Sequence, residues 1–328
     1  MSSRNLLRLI LLVQALAALG IGVAGVVWRD LAWWQATALG LGSVLLVRLL
    51  INANNFLMAA RSASPTPPAF RIGPGAALRM YWEEFSTSML TTSWHMPRAR
   101  ALTRIYPGTA HPPVLLLHGY GCNSGYWASL APMLAGARIS HATLDLEPLT
   151  GDIDGYAERI EEAAARLQAQ AGARQLVVVA HSMGGLAARA WMRSGGADQV
   201  TRLVTLGTPH HGTCLAAFGI GINAGQMRRM GVAGPECAWL TALAAGEPAE
   251  LRARITSIYS HHDNIIAPQT SSELQGARNL AFAGVGHVAL GHNPRVLAAV
   301  LRELDALRDA PRDATGVDRG WAGAMQHH

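Results

Sequence analysis

One stretch of the chain, QLVVVAHSMGG at residues 175–185, constrains the fold more than any other. Its first half is a β-branched run of the kind that forms a buried parallel strand. Small residues flank Ser182, and the segment LAARAWMRS that follows is compatible with a helix. A serine in a tight turn between a buried strand and a helix matches the nucleophile elbow, whose backbone strain holds the hydroxyl above the sheet. A buried serine in an ordinary strand–helix turn is the alternative.

Two later strands end in candidate partners for this serine. The run ITSIYS at residues 255–260 leads to Asp263, and NLAF at residues 279–282 leads to His287. Both residues come just past a predicted strand, in the chain order Ser, Asp, His. We therefore predict a catalytic triad of Ser182, Asp263 and His287. Three competing histidines lack the position after the final strand, namely His261, His262 and His292.

An earlier strand supplies a candidate oxyanion hole. The apolar residues 113–117 end in His118-Gly119, and a His-Gly turn at this point commonly provides one backbone N–H donor. Tyr120 is the predicted first donor, and Met183, directly after Ser182, is the second. We interpret His118 as an anchor of this loop and not as a proton carrier.

The remaining core alternates strands with helices. Residues 143–146 and 200–206 read as strands, and residues 156–171 as an amphipathic helix. This alternation with short connections predicts an α/β fold with a mostly parallel sheet. His210 and His211 lie in the loop GTPHHGT after the second of these strands. They have no further ligand pair at helical spacing, so we predict a loop packed under the site and no metal.

Residues 214–246 are apolar, contain several glycines and lack strand alternation. Their place before the acid loop predicts a helical cap over a pocket. Its larger side chains are candidates for binding an acyl chain, and filling the core is the open alternative; the candidates are Phe218, Met227, Trp239 and Leu240.

The N-terminal region contains two apolar segments, residues 6–28 and 31–51, separated by Arg29 and Asp30. Each is long enough to cross a hydrocarbon layer of about 30 Å. They predict a transmembrane hairpin, and a cleaved signal peptide is the alternative. Arginines lie mainly before and after the pair, which by the positive-inside rule places both ends in the cytoplasm.

Between hairpin and core, residues 62–74 form a Pro-rich linker, and residues 75–96 predict an amphipathic helix that either packs on the core or lies on the bilayer. The apolar face assigned to this helix consists of Leu78, Tyr81, Trp82, Phe85, Met89 and Leu90.

Composition excludes some other classes of protein. The net charge of +6 comes from arginines spread along the chain, so nucleic-acid binding is a poor interpretation. The three cysteines lack metal-binding or redox spacing, although a Cys214–Cys237 disulfide stays open. No cofactor is predicted, and the oligomeric state is not predicted.

Taken together, these motifs resemble the α/β-hydrolase family, and more narrowly the bacterial triacylglycerol lipases and carboxylesterases, including the small Bacillus lipases. The resemblance covers roughly residues 110–307 and rests on His118-Gly119-Tyr120-Gly121, Ala180-His181-Ser182-Met183-Gly184, the loop to Asp263, and Gly284-Val285-Gly286-His287. It implies hydrolysis of lipid or small esters through an acyl-enzyme. The alternatives are acyl transfer or phospholipase action on the same triad, or a non-catalytic membrane-binding protein.

The resemblance and the hairpin together predict four parts. They are a membrane-anchoring hairpin (1–60), a linker with an amphipathic helix (61–99), an α/β-hydrolase catalytic domain (100–308) and a disordered tail (309–328). The predicted location is the bacterial inner membrane with the catalytic domain on the cytoplasmic side, and a periplasmic or secreted protein is the alternative.

Overall fold

A seven-stranded sheet organises the chain. The computed structural model describes residues 2–308, so the predicted disordered tail lies outside the described residues. The strand order is β1-β3-β2-β4-β5-β6-β7, in which β1 is antiparallel to β3 and all other neighbours are parallel. The strands are β1 (Thr103–Arg104), β2 (Val114–Leu117), β3 (His141–Leu144), β4 (Leu176–His181), β5 (Val200–Leu206), β6 (Ile255–Ser260) and β7 (Arg278–Phe282).

The described helices are α1 (Ser3–Arg29), α2 (Trp33–Arg61), α3 (Pro74–Leu90), α4 (Met96–Arg98), α5 (Leu130–Gly136), α6 (Ala157–Ala171), α7 (Met183–Arg193), α8 (Ile222–Gln226), α9 (Ala238–Ala245), α10 (Ala249–Ala253) and α11 (Pro294–Arg308). A π-helical turn at Thr91–His95 joins α3 to α4. Short 3₁₀ turns occur at Pro68–Phe70, Ser124–Ala128, Asp154–Tyr156, Gly196–Gln199, Cys214–Phe218, Gln269–Ser272 and Val288–Gly291.

The sheet is buried on both faces. Successive side chains of a strand point to opposite faces, so Val178 joins one apolar cluster with α6 and α7, while Val179 joins the other with α5 and α11. Burial on both sides explains why β2 and β4 are continuous apolar runs and do not alternate with polar residues. The predicted α/β fold with a mostly parallel sheet is confirmed.

The cap is helical only in short pieces. Between β5 and β6, α8 and α9 are separated by irregular chain that contains an isolated bridge between Arg229 and Glu236. Glycines interrupt this region, and Gly221 has a φ of 105°, which a residue with a side chain adopts only with strain. The glycine content noted in the sequence thus limits the length of the cap helices.

The two N-terminal helices form an antiparallel pair. Both are long and apolar enough to cross a membrane, and most of their apolar side chains are exposed. The helices approach closely at Gly40, where an added Cβ would lie 2.1 Å from the carbonyl oxygen of Ala18. Helix α2 ends at Arg61, ten residues beyond the predicted end of the second apolar segment at Ile51, because its last turns contact the protein through residues such as Asn52 and Phe56.

Helix α3 packs on the core through only part of the predicted apolar face. Its buried residues are Met80, Glu84 and Phe85, whereas Leu78 and Trp82 of the predicted apolar face are exposed. Helix α3 therefore packs on the core through Phe85 of the predicted face together with Met80 and a carboxylate, and it leaves other apolar side chains of that face outside.

Candidate active site

Ser182 occupies a strained turn between β4 and α7. It has φ 55° and ψ −126°, a backbone conformation that residues other than glycine avoid. Its N–H donates to the carbonyl of Leu206 at 2.9 Å, and its own carbonyl accepts the hydroxyl of Thr208 at 2.8 Å. An added Cβ at Gly185 would lie 2.1 Å from the Thr208 hydroxyl, so the loop after β5 fits under the turn only because position 185 has no side chain.

Asp263 and His287 meet at the carboxyl end of the sheet. Asp263 follows β6, His287 follows β7, and the distance between Oδ2 and Nδ1 is 2.8 Å. The N–H of His287 donates to the side-chain oxygen of Asn264 at 2.9 Å, which fixes the backbone of the histidine. Since Ser182 follows β4 in the same parallel sheet, all three predicted triad residues lie at one edge, and all three are largely buried.

The pKa of His287 is raised above its ordinary value. Burial on its own lowers this pKa, but the Asp263 carboxylate, through its charge and its hydrogen bond, and the Glu84 carboxylate outweigh burial. Neighbouring His181 differs: burial and the charge of His287 hold its pKa well below the ordinary value. His181 stacks on Tyr126 with ring centroids 4.0 Å apart, so it is a packed neutral ring.

The loop after β2 lies against the serine. An added Cβ at Gly119 would come 2.7 Å from Cβ of Ser182, so this backbone needs glycine for its approach. His118 accepts the N–H of Leu146 on Nε2 at 2.9 Å and donates from Nδ1 to Gly119, which makes it a neutral anchor of the loop. Among the hydrogen bonds of the described chain, none is donated by the backbone N–H of Tyr120 or of Met183.

Tyr120 also connects this loop to the cap. Its hydroxyl donates to the carbonyl of Ile220 at 2.8 Å and accepts the N–H of the same residue at 2.9 Å. The position of the predicted oxyanion loop is therefore tied to the cap segment after β5.

Two other aspartates of the core and two of the competing histidines are engaged elsewhere. Asp145 accepts the N–H of Ser124 at 2.7 Å, and Asp152 accepts the side chain of Gln226 at 2.6 Å. His262 accepts the N–H of Gly284 at 3.2 Å. His292 lies against Ser129 at 2.8 Å, and burial lowers its pKa to about 4. Each of these groups has a structural contact away from the Asp263–His287 pair.

His210 belongs to a buried ion-pair network. Arg189 donates to Nδ1 of His210 at 3.1 Å and forms two bonds with Glu247, at 2.7 and 2.6 Å. Burial, followed by the charge of Arg189, holds the pKa of His210 well below its ordinary value. Within residues 2–308, no group of three or more His, Cys, Asp or Glu side chains could hold a metal ion, and the cysteines are free thiols.

Of the four cap residues predicted to bind an acyl chain, three lie in or beside one buried cluster and Phe218 does not. Met227 and Leu240 are buried in the cluster that includes α7, whereas Phe218 is 71% exposed. Trp239 packs beside that cluster and donates its indole N–H to Asp154 at 2.7 Å. Their role in substrate binding stays a prediction.

Glu84 of α3 is a site residue that the sequence motifs do not indicate. It lies outside all of them, yet its carboxylate accepts the N–H groups of Val288 and Ala289 at 3.0 and 2.9 Å, directly after His287. The sequence shows only that Glu84 belongs to a helix expected to pack. It does not show which loop that helix contacts.

Comparisons with known proteins agree with this architecture. A family model described as the alpha/beta hydrolase fold matches residues 112–230. The mature form of the Bacillus licheniformis lipase BlEst2 aligns with a TM-score of 0.52 at 19% identity, over 62% of this chain and 98% of that one. Its propeptide form aligns with a TM-score of 0.50 at 20% identity, over 62% of this chain and 53% of that one. Aspergillus fumigatus lipase B aligns with a TM-score of 0.53 at 20% identity, over 65% of this chain and 56% of that one.

The chain is therefore an α/β-hydrolase in its fold. The predicted α/β-hydrolase fold is confirmed, and a Bacillus lipase is among the solved structures that share it.

Proposed function

We propose that the chain is a membrane-anchored serine hydrolase that cleaves carboxylic esters of lipids through an acyl-enzyme. The observation that supports this most is the strained Ser182 turn at the same sheet edge as the Asp263–His287 hydrogen bond of 2.8 Å. A nucleophile on such a turn, with an oriented histidine at the same edge, is the arrangement that activates serine in this fold.

In the proposed reaction, Ser182 Oγ attacks the ester carbonyl carbon while Nε2 of His287 takes the hydroxyl proton. Asp263 holds the other ring nitrogen as N–H and stabilises the imidazolium that forms. The N–H groups of Tyr120 and Met183 stabilise the oxyanion, and one such donor is typically worth about 3 kcal/mol. His287 then protonates the leaving alcohol, and water, activated by the same histidine, releases the acid.

The lipid part of the proposal rests on the N-terminal helices and on α3. Beside the exposed apolar hairpin, α3 and the turn after it present Leu78, Trp82 and Trp94 to solvent. Bulky apolar and tryptophan side chains next to spanning helices are typical of a membrane–water boundary. This surface favours a substrate that is itself in the bilayer.

The proposed orientation rests on where the hairpin ends lie. Arg4 and Arg8 at the start of α1 donate to the carbonyls of Ala99 and Pro97, at 3.3 and 2.9 Å. Ser64, just after α2, binds Gln269 of the core at 3.0 Å. The start of α1 thus contacts the segment just before the sheet, the chain after α2 contacts the core, and the arginines at these ends favour the cytoplasmic side.

The experiment is hydrolysis of p-nitrophenyl esters from acetate to palmitate by the full chain in detergent. Ser182→Ala serves as the blank, and Ser194→Ala, at the exposed end of α7, is the matched control. Activity that rises with chain length and is lost only in Ser182→Ala supports a lipid esterase. Folded wild-type protein that neither hydrolyses these esters nor reacts with a fluorophosphonate probe would overturn the proposal.

The membrane part has its own test. Wild-type protein should stay with inner membranes through an alkaline carbonate wash. In inverted vesicles, protease should digest the core, whereas in right-side-out spheroplasts the core should be protected. Release of the protein by carbonate would contradict an integral hairpin, and the reverse protection pattern would contradict the cytoplasmic orientation.

A further inference from the structure

Glu84 reaches the histidine loop from outside the region matched by the family model. It lies on α3 and is 1% exposed. Its two carboxylate oxygens accept separate backbone N–H groups, Oε1 from Val288 at 3.0 Å and Oε2 from Ala289 at 2.9 Å. These two residues begin the 3₁₀ turn Val288–Gly291, for which His287 is the N-cap residue. A carboxylate from a distant helix thus satisfies the free N–H groups of the turn that begins at the candidate base.

The backbone before His287 also closes on this carboxylate. An added Cβ at Gly286 would lie 2.5 Å from Oε2 of Glu84. Since Glu84 is buried and holds two hydrogen bonds, its carboxylate has little freedom to move aside. Residues on both sides of His287 therefore contact Glu84, and the position of the histidine backbone depends on it.

The charge of Glu84 acts on His287 as well. Burial is the largest influence on Glu84 and leaves its pKa raised, although the hydrogen bonds from Val288 and Ala289 and the charge of His287 act in the opposite direction. Both oxygens accept N–H groups, and such hydrogen bonds favour the carboxylate form. In the low-dielectric interior, a second anion near the ring stabilises the imidazolium in addition to Asp263.

A second contact joins the N-terminal region to the acid loop. Ser64 accepts the N–H of Thr270 at 3.2 Å and donates to Gln269, whose side chain donates to the carbonyl of Asp263 at 3.0 Å. Residues 64–84, which we call the strap, therefore contact the loops of both Asp263 and His287. At its far end the strap meets the hairpin, where the Tyr81 hydroxyl donates to the carbonyl of Leu49 at 2.8 Å.

We infer that Glu84 is a positioning residue for His287, and that the strap, through Ser64 and Glu84, completes the active site of the proposed hydrolase. This inference rests on the proposed function, because it assigns His287 the role of base. Glu84 fixes the turn that carries the histidine and stabilises its protonated ring. The other titratable groups around Glu84 and His287 are Asp263, Tyr126, His181, His292 and Cys122.

The test compares Glu84→Gln and Glu84→Asp with wild type, using Glu83→Gln as the matched control. Glu83 is the adjacent carboxylate on α3, but it accepts the side chain of Asn293 at 2.6 Å and not the turn after His287. For Glu84→Gln we expect a loss in kcat on the order of 10²-fold with little change in KM, since displacement of a reacting group by about 1 Å has that effect. The acid limb of the pH profile should move to lower pH, because loss of an anion lowers the pKa of His287.

The variant Glu84→Asp separates the effect of the negative charge from the effect of side-chain length. Glu84→Asp keeps the charge but is one methylene shorter, so kcat should fall while the acid limb stays in place. Glu83→Gln should match wild type in both. A fall in kcat of Glu84→Gln with no movement of the acid limb would reduce Glu84 to a structural residue and overturn the inference. Wild-type behaviour of Glu84→Gln would overturn it as well.

A measurement that does not depend on catalysis tests this inference separately from the proposed function. The pKa of His287, followed by NMR of labelled histidine and assigned with His287→Gln, should be lower in Glu84→Gln than in wild type. That shift in a protein with no esterase activity would support the contact with Glu84 while overturning the proposed function. If Glu84→Gln does not fold, Gly286→Ala is the second variant: its Cβ should displace the carboxylate and lower kcat, and wild-type activity would overturn the inference.

Discussion

The Oδ2 atom of Asp263 lies 2.8 Å from Nδ1 of His287, while Oδ1 accepts the N–H groups of Ile265 and Ile266, each at 2.8 Å. A carboxylate that accepts from three donors is fixed in its orientation. In the neutral ring of His287, the proton is therefore on Nδ1, and Nε2 is the basic atom.

The first prediction concerns Asp263. Asp263→Asn should lower kcat by about 10⁴-fold, because an amide that presents its NH₂ group to Nδ1 selects the wrong tautomer of the histidine. The check is ester hydrolysis under saturating substrate. Asp145→Asn and Asp152→Asn are the controls, since both carboxylates bind groups away from His287. A greater loss in either control would move the acid role away from Asp263.

The second prediction concerns pH. The general base must be unprotonated, and the net effect of burial, Asp263 and Glu84 raises the pKa of His287. Activity should therefore be lost as the pH falls through a value above the ordinary histidine pKa of about 6.5. The check is kcat/KM for p-nitrophenyl butyrate against pH. An acid limb near pH 5 would contradict this sign.

The third prediction concerns backbone strain at Ser182. Its φ of 55° and ψ of −126° suit glycine better than any residue with a Cβ. Ser182→Gly should therefore be more stable than Ser182→Ala by about 1 kcal/mol, although both are inactive. Urea unfolding of the two inactive variants measures this difference.

Ser194 provides the control pair for that comparison. Its φ is −83°, so Ser194→Gly should be no more stable than Ser194→Ala. Equal stabilities of the two Ser182 variants would show that the turn carries little strain.

The fourth prediction concerns the buried pair of Arg189 and Glu247, whose side chains are fully buried. Glu247→Gln should destabilise the fold by about 3–5 kcal/mol, because it leaves a guanidinium buried without its anion. The double variant Arg189→Met/Glu247→Leu should cost less than this single change. Urea midpoints provide the comparison, with Glu162→Gln in the exposed Arg166–Glu162 pair as control.

A loss for Glu162→Gln as large as that for Glu247→Gln would contradict the argument from burial. Exposed pairs of this kind contribute about 0.5 kcal/mol.

The sequence predicts the sheet well and the surroundings of its loops poorly. Strand β5 begins and ends where the sequence predicts, at Val200 and Leu206. The tight turn at Ser182 can also be predicted from the sequence, since only small residues fit beside the serine. The triad roles stay predictions, although the structure brings Ser182, Asp263 and His287 to one edge.

Glu84 shows what the sequence pattern leaves out. The apolar residues of α3 predict a buried face, yet Leu78 and Trp82 are exposed and the carboxylate is inside. Periodicity places residues on a helix face, but it does not say which loop that face meets. The cap has shorter helices than its apolar composition predicts, because glycines interrupt them.

The position of Glu84 sets a limit on any soluble version of this protein. A chain that begins at Arg100 would keep the whole sheet and every matched motif, yet it would lack the carboxylate that binds the N–H groups of Val288 and Ala289. A chain that begins at Ser62 would lose the hairpin and keep Ser64 and Glu84. Protein chemists who want crystals without detergent should therefore cut between Arg61 and Ser62, and not at the start of the sheet.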